Sequence, residues 1–186
     1  MKRTASTARM KAFDLIKEKS FFKGHFTLAS GKVSDYYLDM KPTMFDPDGS
    51  RLLTELVLSR LEGIAVDLIG GLEMGAVPLI SNIVMRSATM DRPIPGFFVR
   101  KSVKDHGTKK LIEGTSDIAG KSVVILDDVT TTGESAMVAV WAARNAGANV
   151  TLVLSVVDRE EGAAQLFKKE GVLFDHLFTA SAFLKS

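Results

Sequence analysis

Two periods alternate along this chain. From Thr7 to Lys19 the apolar residues Met10, Phe13 and Ile16 recur at helical spacing with lysines on the other side, which predicts an amphipathic helix. Around Phe26–Leu28 and Tyr36–Met40 apolar and polar positions alternate, separated by a Ser-Gly turn, which predicts a small antiparallel element. Asp46-Pro47 then opens a helix to about Glu62, since proline suits a first helical turn. Beyond it, short apolar runs take turns with helical stretches. Strands are expected at Val66 to Ile69, Gly96 to Val99, Val123 to Leu126, Val150 to Val157 and Val172 to Phe178. Helices are expected from near Gly75, from Gly133 to Gly147 and from Glu161 to Glu170. Strands alternating with helices predict an α/β fold, a parallel central sheet flanked by helices.

One stretch organises the rest: Lys121 to Ser135, KSVVILDDVTTTGES. Four apolar residues, Val123 to Leu126, read as a strand buried on both faces, and they run directly into Asp127 and Asp128. A loop of small hydroxylated residues follows, Thr130, Thr131, Thr132, Gly133 and Ser135, opening a helix that Gly147 closes. Free backbone N–H groups and the helix dipole make such a loop an anion site, with the hydroxyls as further donors. Two adjacent acids repel a phosphate, so they face something else: vicinal sugar hydroxyls or a hydrated Mg2+. The composite ligand is a sugar phosphate. Either half taken separately is also what an ordinary turn or helix cap looks like.

Three other regions fall on the same rim of the sheet. Gly70-Gly71 and Gly75 read as a strand–glycine loop–helix, a second phosphate geometry that lacks the G-x-G-x-x-G dinucleotide pattern. Arg100, Lys101, Lys104, His106, Lys109 and Lys110 crowd the segment Arg100 to Gly114, which reads as a solvated loop able to act as a lid over an anion. Asp158-Arg159 ends a strand, and an arginine there suits a carboxylate as well as it suits a plain turn. GTSDIAGKS, Gly114 to Ser122, mimics a Walker A loop but has five residues between its glycines and precedes its strand, so an ATPase is rejected.

Composition narrows the classes. A chain of 186 residues, 46% apolar and 25% charged, fits one globular domain. A net charge of +2 is too small to argue for nucleic acid or a membrane surface as a bulk partner. With no cysteine there is no disulfide framework and no thiol chemistry, as suits a reducing cytoplasm. The basic start MKRTASTARMKAFD lacks the apolar stretch of a secretory signal, and no run is long enough to span a bilayer.

The acidic loop closely resembles the phosphoribosyl-diphosphate (PRPP) signature of the type I phosphoribosyltransferases. FTLASGKVSDYYLDMK, GGLEMGAVP, FFVRKSVKDHGTKKLIEG, VVILDDVTTTGES and VVDRE, in that order, resemble the orotate phosphoribosyltransferases. The resemblance implies a single domain over 1–186, with a core at about 46–178 and a small hood drawn mainly from 1–45 and the C-terminal end. It implies phosphoribosyl transfer from PRPP to orotate in pyrimidine biosynthesis, in a cytoplasmic homodimer whose lid reaches the neighbouring subunit. By motif match, Asp127 and Asp128 would hold the ribose hydroxyls and Val129, Thr130, Thr131, Thr132, Gly133, Glu134 and Ser135 the 5′-phosphate. Arg100, Lys101, Lys104 and His106 would meet the diphosphate, next to Glu73-Met74. Lys101, Lys104, His106 and the two aspartates are the expected catalytic set. Thr131, Arg159, Tyr36 and Tyr37 would meet orotate. Mg2+ would be held through PRPP and water, with Asp127 as the candidate protein ligand. Many members carry lysine where Ala29 stands, so one charge of the substrate is either met differently here, with Lys32 as candidate, or not met at all. The rival readings are a phosphoribosyltransferase for a purine or uracil, and a regulator that binds PRPP without turnover.

Overall fold

A computed structural model describes residues 2–27, 33–102, 110–115 and 117–186 of the chain. Its centre is β6 (Ser122–Thr130), flanked in parallel by β3 (Leu68–Gly71) on one side and β7 (Asn149–Asp158) on the other, with β8 (Leu173–Thr179) beyond β7. β4 (Phe97–Val99) lies along the outer side of β3, joined by the bridges Ile69–Gly96 and Leu72–Val99. This is a parallel sheet flanked by helices.

The apolar run in β6 explains its central place. Val124 and Leu126 face one layer, made by α1 (Lys2–Lys19), α3 (Pro47–Leu61) and α4 (Val77–Ser87). Val123 and Ile125 face the other, with α5 (Glu134–Asn145) and α6 (Ala163–Lys169). All four are at most 1% exposed. Burying each is worth roughly 1.5–3 kcal/mol, so alternate residues of one strand tie two helical layers to the sheet. Asp46 caps α3 by accepting from the N–H groups of Asp48 and Gly49, with Pro47 in the first turn.

Several boundaries differ from the sequence pattern. β6 does not stop at Leu126; it runs through both aspartates to Thr130, because Asp127, Val129 and Thr130 keep their register with Ser155, Val157 and Asp158. Gly70 and Gly71 are the last residues of β3 rather than a loop. A Cβ on Gly70 would strike the Phe97 ring, and one on Gly71 the Leu126 carbonyl, so these glycines serve close packing. The basic segment is not one loop up to Gly114 either. Its far end forms β5 (Ile112–Gly114), antiparallel to β4, and Arg100 N–H bonds the Leu111 carbonyl. Met10, expected on the buried side of α1, is 65% exposed; Ala12 and Ile16 take the core positions.

At one end of the sheet, β1 (Phe21–Thr27) and β2 (Val33–Leu38) form an antiparallel hairpin, followed by the single turn α2 (Lys41–Met44). A C-terminal helix that the sequence pattern does not signal, α7 (Ala180–Leu184), turns Phe183 inward against Phe13 of α1 (ring centroids 4.4 Å apart) and Phe21 of β1 (5.6 Å). Phe21 in turn stacks on Tyr36 of β2 at 5.5 Å. This aromatic stack joins both chain ends to the hairpin and fixes the face of β2 that overhangs the sheet. Among the described residues, no helix is long and apolar enough to cross a membrane.

Candidate active site

The carboxyl ends of β3, β6 and β7 meet at one rim, where ligands of open α/β sheets bind. Asp127 is 8% exposed, and its Oδ2 accepts the Thr130 hydroxyl at 2.7 Å. Burial, with the Asp128 charge beside it, pushes the Asp127 carboxyl up to about 7. Asp128 alternates to the other face of the strand. Burial raises its pKa too, partly offset by the backbone N–H of Val129 and by the Lys41 ammonium. A Cβ at Gly75 would land on Asp128 Oδ1, so the turn after β3 packs its bare backbone against this carboxylate. The two acids thus have different neighbours.

Beyond them the loop Thr131–Gly133 opens α5. Gly133, the residue before the helix, has φ +89°, in the left-handed region that favours glycine, and a Cβ there would lie 2.9 Å from the Phe167 ring. Thr132, Glu134 and Ser135 are exposed and Thr131 is half-buried. Thr130 is buried with its hydroxyl given to Asp127, and Val129 packs partly against the core; only their backbones are available to a ligand.

Across the rim, Glu73 and Met74 form the turn after β3, their peptide bond cis. The Glu73 carboxylate is occupied: Oε1 accepts the Lys101 backbone N–H at 2.9 Å and Oε2 lies 3.9 Å from Arg100 Nη1. It brackets the first residues of the basic segment onto the β3 turn. Lys101 is exposed. Lys104, His106 and Lys109, like Ala29 and Lys32, lie outside the described residues.

On the third side stands Arg159, whose side chain is 6% exposed. Its guanidinium lies 4.5 Å over the Tyr36 ring, Nε donates to Glu161 Oε1 at 2.8 Å and Nη2 to Ser34 Oγ at 3.4 Å. The hairpin is thereby clasped to the end of β7. Strand alternation separates the two tyrosines: Tyr36 faces Arg159, whereas Tyr37 packs on Phe22 and Phe26 from the other face.

With this geometry, relatives are informative. Residues 46–176 match the model of the phosphoribosyl transferase domain. The orotate phosphoribosyltransferase of Rhodopseudomonas palustris (strain BisB5) is 51% identical over 187 residues, covering 99% of each chain. The chain belongs to the orotate phosphoribosyltransferase family. As such it transfers the phosphoribosyl group of PRPP to orotate. Among solved structures, the Mycobacterium tuberculosis orotate phosphoribosyltransferase in complex with Fe(III) dicitrate superposes with TM-score 0.83 at 34% identity, over 95% of this chain and 98% of that one. The same enzyme in complex with PRPP gives 0.80 at 31%, over the same shares.

Four rim residues of this family member escaped the sequence reading. Asp39 and Lys41, at the start of α2, pair at 2.6 Å, and the Lys41 ammonium acts on Asp128. Ser34 and Glu161 hold Arg159. The signals were present, as D-x-K closing the YYLDMK motif and as a second glutamate in DREE. Neither spacing says which way the side chain turns.

Proposed function

We propose that this rim performs phosphoribosyl transfer by charge separation, with the roles divided among its three sides. The observation that carries the reading is that buried carboxylates, an anion-binding helix start and a stacked arginine converge on one sheet edge. The Asp127–Asp128 pair takes the ribose hydroxyls, and the backbone N–H groups from Thr131 to Ser135 take the 5′-phosphate. Arg100, Lys101, Lys104 and His106 take the diphosphate, and Arg159, beside Tyr36 and near Thr131, takes the carboxylate of orotate.

In the reaction the bond between ribose C1 and the diphosphate oxygen breaks, its electron pair leaving with diphosphate. Orotate N1 forms the new bond, and its proton leaves with the diphosphate. Positive charge grows on the ribose and negative charge on the leaving group. Carboxylates at the first and cations at the second stabilise both, and because they are already oriented, little reorganisation is needed. Closing the basic segment excludes water that would otherwise hydrolyse the activated ribose.

Mg2+ fits this donor set. A hydrated ion held mainly by substrate oxygens would take Asp127 or Asp128, hard oxygen donors at the rim, as the protein's share. When bound it neutralises charge on the diphosphate. We further read the protein as a cytoplasmic homodimer in which each basic segment serves the neighbouring site; sedimentation of the purified chain as a monomer at assay concentration would refute this.

The reading is tested by ultraviolet assay of base consumption with PRPP and Mg2+. Orotate is expected to be consumed, and adenine, hypoxanthine and uracil, which lack a carboxylate for Arg159, are not. Turnover of a purine or of uracil in place of orotate would overturn it, and binding of PRPP without any turnover would favour a regulator.

A further inference from the structure

We propose that Glu161 is a positioning residue for acceptor recognition: it holds one edge of the Arg159 guanidinium so that only the other edge is offered to the carboxylate of the base. This rests on the assignment of Arg159 to orotate.

A guanidinium has five N–H donors in a rigid fork, and it recognises a carboxylate best through two parallel N–H groups on one edge. On Arg159, Nε is taken by Glu161 at 2.8 Å, and one Nη2 hydrogen points at Ser34. Nη1 has no partner among the described residues, so the Nη1–Nη2 end is the edge left open. Its plane is set by Tyr36, 4.5 Å below, and its root by the Arg159 N–H bond to the Thr130 carbonyl at 2.9 Å. Without Glu161 the fork keeps its stacking but loses the bond that fixes its rotation over the ring. Either of two edges can then meet the base, and the base loses its register against ribose C1.

Glu161 does this as a hydrogen-bond acceptor and not as a charge. Its own carboxylate stands 2.8 Å from a group that must bind a second carboxylate, so its charge opposes orotate while its oxygen aims the arginine. These two effects are separable. Glutamine keeps the acceptor and removes the charge; alanine removes both. Glu161 is 34% exposed in its side chain, in the turn after β7, so truncation leaves the core intact.

The experiment measures kcat and both Michaelis constants in Glu161→Ala, Glu161→Ser and Glu161→Gln. Alanine and serine, too short to reach Nε, are expected to raise KM for orotate about tenfold with KM for PRPP within about twofold of wild type. Glutamine is expected to leave KM for orotate at or below the wild-type value. Unchanged orotate KM in the two truncations, or an equal rise in all three variants, would overturn the proposal. A wild-type protein that does not consume orotate would instead strike the assignment of Arg159 on which it rests.

Discussion

Burial of the Asp127 carboxyl makes stability depend on pH in a way that can be measured without substrate. Its carboxyl is buried, bonded to the Thr130 hydroxyl and adjacent to Asp128, and its pKa rises from the ordinary 3.8 to about 7. The unfolded chain releases this proton near pH 4, while the folded chain retains it to about pH 7. Between those values the unfolded state binds fewer protons, so stability falls as pH rises. Above pH 7 the loss is complete; below pH 4 it is absent. At about 1.4 kcal/mol per tenfold change in proton affinity, the cost of ionising Asp127 is roughly 4 kcal/mol. Asp127→Asn keeps the shape and an acceptor for Thr130 but cannot ionise. By urea denaturation of the unliganded protein, the variant is expected to exceed wild type by a few kcal/mol at pH 8 and to match it near pH 4. Its activity is expected to fall at least about tenfold, the value of one charge-assisted hydrogen bond to the ribose. Equal stability at both pH values, or a less stable variant at pH 8, would refute the argument that this carboxylate is held at the rim against its own solvation.

Three further outcomes are expected. Arg159→Ala is expected to raise KM for orotate at least about tenfold while sparing PRPP binding; an unchanged orotate KM would remove its assignment. Lys101→Ala and Lys104→Ala are each expected to slow turnover by at least about tenfold in a steady-state assay, and normal turnover in both would remove the basic segment from the proposed mechanism. Gly75→Ala places a methyl where Asp128 Oδ1 now sits, so it is expected to weaken PRPP binding by calorimetry about as much as Asp128→Ala, and unaltered affinity would show that the carboxylate can move without cost.

The regular architecture was legible because it depends on short-range pattern. The run Val123 to Leu126 is apolar on both faces, and only a strand with helices on both sides can bury it. The order apolar run, two acids, hydroxylated loop, helix places ligand chemistry at a strand's end whatever surrounds it. Where that pattern misled, a distant partner decided. Gly70 and Gly71 belong to β3 because they pair with Ile125 and Leu126 of β6, and Phe97 and Leu126 occupy the space a Cβ would need there; those residues are far along the chain. The end of the basic segment is a strand because β4 offers it a free edge, not because Ile112–Gly114 has strong strand character.

The sequence by itself thus determined the sheet, its buried central strand and the kinds of charge carried to its rim, since each follows from neighbours within a few residues. Only the tertiary structure decided how those charges are spent. Glu73 is turned onto the backbone of Lys101, Thr130 onto Asp127, and Arg159 is held between Glu161, Ser34 and Tyr36. The direction of a polar side chain depends on which donor or acceptor folding brings within about 3 Å of it, and such partners come from anywhere in the chain.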